Sequence, residues 1–224
     1  MKHKSPFLFT EFLAMFYMAS MAYSACMGAK FIDTPFGVMS GASLISPLWF
    51  ITGDIVAEVY GFKHVMRFFW SVVIVQFVFA IIVTSIIHFK ALTPQIDGSY
   101  DLIFGHMIKM SLFQLIGIVI AWRVNAVLLT KWKIIVNGKY FWLRSIGASG
   151  IGEIMYSLIA VSLTLLGNTS SQHLIQIVAW SCVLKLGITI ILSGPANFVC
   201  YLLKRAEGTD VYEAGHMNPL MKVS

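Results

Sequence analysis

Four ionisable side chains sit inside stretches otherwise built of hydrocarbon, at spacings that place them on helix faces. Asp54 and Glu58 are four residues apart. Glu153 lies in the row Ser145, Ser149, Glu153, Ser157, and Lys185 in the row Ser181, Lys185, Thr189, Ser193, Asn197. Residues four apart are neighbours on one helix face, although such a row winds by about 40° per step. A charge at the centre of a membrane helix costs about 2.5–3.5 kcal/mol on insertion scales, so these side chains should face the bundle interior. There they can pair with one another or bind a polar ligand. Glu153 and Lys185 have opposite signs and similar depth. They could form a packing ion pair or hold a ligand between them. Asp54 and Glu58 repel unless a cation, a proton or a hydrogen-bond donor relieves them, and Trp49 and Phe50 offer flat apolar surface nearby. The alternative puts both acids in headgroup water, answered by Lys63, His64 and Arg67. Glu11, His106 and Lys109 are further ionisable groups within or at the edges of apolar stretches.

Other chemistries fare worse. Gly147-Ala148-Ser149-Gly150 matches the GxSG of intramembrane serine proteases, whose serine needs a histidine base on a later helix. After Ser149 come only His173, at a loop edge, and His216, in the tail. The GxSxG of soluble hydrolases fails because position 151 is Ile. There is no HExxH and no phosphate-binding loop. Cys26, Cys182 and Cys200 all fall in apolar runs with no CxxC or Cys/His cluster, which argues for packing rather than a metal. We therefore expect no catalytic residue, no metal and no cofactor.

The elements that position these residues follow from composition. The chain has 224 residues, 58% hydrophobic and 12% charged, with mean hydropathy +0.81. Soluble chains carry about 25% charged residues. A solvated globule, a disordered chain and a disulfide scaffold are all excluded, which leaves an integral membrane protein. Six stretches are long enough to cross a bilayer, at about 20 residues each: 7–28, 36–57, 67–88, 102–122, 143–166 and 174–203. The second is interrupted by Ser40, Gly41, Ser43 and Pro47 and reads as kinked or as two half-helices. The sixth is long enough to tilt or to run on past the membrane. Lys2, Lys4, Lys63, Arg67, Arg123, Lys131, Lys133, Lys139, Arg144, Lys204, Arg205 and Lys222 fall on one side; the other has only Lys30 and Lys90. The positive-inside rule then puts both termini in the cytoplasm. Topology accounts for the net charge of +6, and no nucleic-acid partner is needed. The first stretch reads as a retained helix rather than a cleaved signal, because Glu11 lies within it. The expectation is an all-α bundle of six membrane helices forming one polytopic domain over 1–224, with a mobile cytoplasmic tail at 207–224.

Pro47, Phe50, Asp54, Glu58, Tyr60 and Gly61 reproduce a P-x-x-F-x-x-x-D-x-x-x-E-x-Y-G block. In this the chain resembles the queuosine precursor transporter family, also called the vitamin-uptake-transporter-like family. The basic segment Leu128-Leu129-Thr130-Lys131-Trp132-Lys133, the ten-residue spacing from Lys185 to Pro195, and Leu202-Leu203-Lys204-Arg205 agree in order and spacing. The resemblance covers about 36–205. Asn125 stands where the family tends to have Asp, and Glu153 and Tyr156 stand where it has Gln and Asp.

The resemblance implies a bacterial inner-membrane importer of 7-deazaguanine precursors of queuosine, a modified tRNA nucleoside. Its implied substrate-binding residues are Asp54, Glu58, Glu153, Lys185, Trp49, Phe50, Tyr156 and Asn125. Implied partners are a small heterocyclic substrate and the lipid bilayer; a homo-oligomer is compatible with it. Two rivals stay open. One is the substrate-binding subunit of an energy-coupling-factor transporter, for which Ala25 and Ala29 would dock a partner. The other is a membrane scaffold whose buried charges only fix helix register.

Overall fold

The computed structural model describes residues 8–28, 30–35, 37–90, 92–105, 107–165 and 171–212. Lys2, Lys4, Ala29, His106, the connection at 166–170 and the tail beyond 212, with His216 and Lys222, lie outside the described residues.

The chain runs α1 (Thr10–Met27), β1 (Phe31–Thr34), β2 (Gly37–Ser40), α2 (Ala42–Tyr60), α3 (Phe62–Ile87), α4 (Pro94–Phe104), α5 (Met107–Ile135), α6 (Phe141–Tyr156), a π-helical turn (Ser157–Val161), α7 (Ser162–Leu165) and α8 (Ser171–Glu207). The all-α expectation needs one correction. An antiparallel hairpin, β1 with β2, replaces the start of the expected second span. Its residues include Thr34 and Gly37, turn-compatible types, and Gly37 takes φ 136 directly against the Trp180 ring. A side chain at that position would overlap the indole.

Among the described residues, five helices are long and apolar enough to cross a membrane: Ala42–Tyr60, Phe62–Ile87, Ser111–Ile135, Phe141–Thr164 and Gln172–Glu207. At 18 residues, α1 spans about 27 Å. Glu11 and its interspersed tyrosines and serines keep it less apolar than the other five. The expected break in α2 does not occur. One helix runs from Ala42 through Pro47 to Tyr60. Pro47 sits in its second turn, where a single amide hydrogen bond is lost. At 37 residues α8 is about 55 Å long, well beyond the bilayer core, and it too passes unbroken through its proline, Pro195.

Burial runs opposite to apolarity. The α2 span has the lowest mean hydropathy of the five, 1.3, yet 78% of it is buried; the α3 span has the highest, 2.5, and only 17% is buried. Lipid is as apolar as leucine and gives such side chains no reason to hide, so Ile74, Phe79 and Ile86 face outward on α3. The centre goes to the polar helix. α2 packs against α1, α3, α5, α6 and α8. Glycines permit the close approaches. A Cβ on Gly53 would lie 2.9 Å from the Trp122 indole, and one on Gly152 would lie 3.1 Å from Phe50 and Asn125.

Near the chain ends, the Phe9 amide donates to Glu207 Oε1 at 3.0 Å, and the Tyr60 hydroxyl donates to the same oxygen at 2.9 Å. The start of α1 and the ends of α2 and α8 therefore meet at one end of the bundle. Gly61 alone separates α2 from α3, at φ 87 and ψ 171. That region is essentially closed to residues with a side chain, at about 1–3 kcal/mol. Gly61→Ala should lower the melting temperature in detergent by several degrees. An unchanged melting curve would show that the turn relaxes freely.

Candidate functional site

The two acids of α2 lie one helical turn apart and meet different partners. Asp54 is 1% exposed. Its Oδ2 accepts from the Ser145 hydroxyl and from the Ser149 hydroxyl at 2.7 Å, and its Oδ1 accepts from Asn125 Nδ2 at 2.7 Å. Three of about four acceptor positions are thus filled from α5 and α6. An aspartate at 125 would offer no donor here and would add a second charge, so the amide suits this arrangement. Ser149 directs its proton to Asp54.

Glu58 sits in an ion cluster. Arg144 Nη1 and Nη2 donate to its two oxygens at 2.9 and 3.1 Å, Lys204 Nζ to Oε1 at 2.6 Å, and Lys133 Nζ lies 3.8 Å away. Lys133 also donates to the Glu58 carbonyl at 2.6 Å and to Asp210 at 2.6 Å. Asp210 in turn pairs with Lys204 at 3.1 Å. Three cations meet two carboxylates, and Glu58, Arg144 and Lys133 are each at most 3% exposed. The headgroup-water alternative for Glu58 is thereby replaced by an internal cluster. Partial burial pushes the Asp210 carboxyl up, but the bonds from Lys133 and Lys204 outweigh it and hold it below the usual carboxylate range. Its contribution is therefore fully present at neutral pH and fades only as pH falls through that lowered value.

Glu153 and Lys185 are differently placed. Both are buried, at 0% and 2% exposure. Lys185 Nζ donates to Ser157 Oγ at 2.8 Å, in the π-helical turn, and lies 5.0 Å from the Tyr156 ring centre. Glu153 Oε1 accepts from Thr189 at 3.0 Å, while Oε2 has no hydrogen-bond partner. Aromatic rings surround this level. Trp49 stacks on Phe50 at 4.2 Å, and Tyr156 sets its edge against both, at 5.5 and 6.4 Å. Tyr17 and Trp122 join them, 6.3 Å apart and edge-on. The Tyr17 hydroxyl, Trp122 Nε1 and Asn125 Oδ1 are likewise buried without partners. A buried polar atom left unpaired costs about 1–3 kcal/mol, so four at one level point to a ligand or water that completes them. A cavity of about 40 Å³, lined by Ser24, Gln76, Ser111 and Gln114, reaches Trp49 and Tyr156 from the other side. That is room for a few waters.

The structure thus brings Glu153, Lys185, Tyr156, Trp49 and Phe50 together, with Asp54 of α2 and Asn125 of α5 bonded to each other beside them, and sets Glu58 apart. Asn197 winds out to an exposed position, as the drift of a four-residue row requires. Glu11 and Lys109 are exposed. Sequence reasoning missed Tyr17 and Trp122, which carry no positional signal. It also counted Lys133, Arg144 and Lys204 as loop charges, although a lone buried acid four residues from another called for cations.

Residues 40–199 match the family model described as "Putative vitamin uptake transporter". No curated protein and no solved structure matches the chain.

Removing one partner of a buried ion pair strands the other, at about 3–5 kcal/mol. Arg144→Leu should therefore destabilise strongly. Glu58→Gln combined with Arg144→Leu should cost less than the sum of the single changes, with a coupling of about 0.5–3 kcal/mol. Thermal unfolding in detergent measures both, and additive losses would mean that Lys204 and Lys133 satisfy Glu58 without the arginine.

Proposed function

This chain is a member of the vitamin uptake transporter family, and we propose that it imports a queuosine precursor, a 7-deazaguanine base, across the bacterial inner membrane. Both termini lie in the cytoplasm, and the cargo feeds tRNA modification. One observation carries the reading: Glu153 keeps an unpaired carboxylate oxygen, fully buried, three residues before Tyr156, whose ring meets Trp49 and Phe50.

The chemistry of such a base fits that environment. Its pyrimidine edge presents an N1–H and an exocyclic amine, two parallel donors that a carboxylate accepts together. Glu153 Oε2 is free for one, and Oε1 has a second lone pair beside its bond from Thr189. Lys185, held only by Ser157 and facing Tyr156, can turn to the O6 carbonyl. Trp49, Phe50 and Tyr156 supply ring faces and edges for the bicyclic system. Asp54 and Asn125 hold α5 and α6 in place beside the site, and Asn125 Oδ1 remains available as an acceptor. Alternating access around a midplane site would deliver the base to the other side.

A second reading is favoured by a separate feature. An apolar groove of about 920 Å³ runs between α1 and α3, floored on α1 by Ala14, Ala19, Ala22 and Cys26. Small residues along a first helix suit the docking of a coupling partner, as in an energy-coupling-factor transporter. Uptake by the purified chain alone in proteoliposomes would exclude that arrangement.

The main test is uptake of labelled 7-deazaguanine base by cells lacking both its synthesis and its transport. The chain should restore uptake, and Glu153→Gln should reduce it at least about tenfold, equivalent to about 1.4 kcal/mol, with membrane expression unchanged. No uptake despite expression defeats the substrate assignment. If Glu153→Gln and Lys185→Met shift thermal stability alone and leave uptake intact, the buried charges serve packing only.

A further inference from the structure

The segment that follows α8 does not leave the bundle. Gly208, at φ 64, ends the helix with its amide on the Lys204 carbonyl at 3.0 Å. The chain then turns back across the bundle end. Asp210 meets Lys133 and Lys204, the Val211 carbonyl accepts from Lys133 at 2.8 Å, and the Val211 amide donates to the Val59 carbonyl at 3.3 Å. The Tyr212 ring lies 4.5 Å from Lys133 Nζ, and its hydroxyl rests over Gly138, where no Cβ could stand. Five residues thus bridge α8, the end of α2, the end of α5 and the α5–α6 turn. Behind them lie Glu58 and Arg144, and with them Cys200, 3% exposed and within electrostatic reach of Glu58, Lys204 and Lys133.

Lys133 is the hub. Its three N–H groups go to the Glu58 carbonyl, to Asp210 and to the Val211 carbonyl. Two of the three bonds hold the segment. When the segment lifts, Lys133 has a replacement anion at hand, because the Glu58 carboxylate is already 3.8 Å away. The cations behind the segment therefore stay paired in both positions, and a glycine supplies the pivot. Such an element has two low-cost states, which a gate needs.

We propose that residues 208–212 form a strap that closes the end of the bundle where α1 begins and α8 ends, and that it lifts to let cargo pass there. This rests on the importer reading, with that end facing the cytoplasm. Lifting would exchange the Asp210 bond of Lys133 for the Glu58 carboxylate and open the route past Cys200.

Cys200 is a built-in reporter. In the full chain with Cys26→Ser and Cys182→Ser, inverted membrane vesicles are treated with a membrane-impermeant maleimide, and deazaguanine uptake is measured in parallel. Asp210→Asn keeps the shape of a side chain that is 38% exposed and removes both of its ion pairs. It should speed Cys200 labelling at least about fivefold at a temperature well below the variant's own melting point; Tyr212→Ala repeats the test at the other end of the strap. Faster labelling in either variant supports the strap whether or not the parent chain transports the base. Labelling as slow as in the parent in both variants, with full reaction after denaturation, overturns it. Parent uptake in that case leaves the importer reading standing. Absence of uptake by the parent defeats the importer reading alone.

Discussion

A carboxylate in hydrocarbon must find all its partners within the protein, and α2 carries two of them on one face. Water cannot supply the donors, so three other helices must bring them: α5 with Asn125 and Lys133, α6 with Arg144, Ser145 and Ser149, α8 with Lys204. The need to satisfy Asp54 and Glu58 thus fixes which helices surround α2 and at what height. This is why the least apolar of the membrane-length helices is the most buried. The ordering force inside a bilayer is polar satisfaction, while apolar surface is free to face lipid.

Within that frame the buried charges divide by how completely they are paired. Asp54 has three donors, and Glu58 has a bidentate arginine and a lysine. Such groups are spent on architecture. Glu153 has one donor and one empty oxygen, and Lys185 has a single hydroxyl acceptor. They lie on adjacent helices, and each bonds a hydroxyl rather than the other. A pair left open in this way is costly to hold, and a bound polar group or water would complete it. The π-helical turn at Ser157–Val161 contributes, since the widened turn carries the hydroxyl that holds Lys185.

Much of this was legible from residue order. The P-x-x-F-x-x-x-D-x-x-x-E-x-Y-G block turns out to be a list of physical tasks: Phe50 stacks on Trp49, Asp54 gathers hydroxyls, Glu58 takes the arginine, Tyr60 reaches Glu207, and Gly61 makes the turn. The four-residue rows of α6 and α8 are buried as the spacing requires, until the drift carries Asn197 outward. Composition could not reveal the β1–β2 hairpin, because Phe31–Ser40 is apolar enough to pass for the start of a helix. Nor could it tell that Lys133, Arg144 and Lys204 were internal. Basic residues beside a helix end look alike whether they meet lipid headgroups or fold inward onto an acid. Only the tertiary demand of Glu58 distinguishes the two, and that demand crosses from residue 58 to residue 204.

The two ends of the bundle differ in the kind of contact that shuts them. At the end where α1 begins and α8 ends, the closure is ionic: Glu58, Arg144, Lys133, Lys204 and Asp210 form one network, reinforced by Glu207 on Phe9 and Tyr60. Toward the other end, the small cavity beside Trp49 and Tyr156 is mostly apolar, and its polar groups are the neutral amides and hydroxyls of Gln76, Gln114, Ser24 and Ser111. Neutral groups exchange partners with water at little cost, whereas an ion network opens only if each of its buried charges keeps a partner. The ionic end therefore holds unless its buried charges exchange partners. The spare distance between Lys133 and the Glu58 carboxylate provides for that exchange.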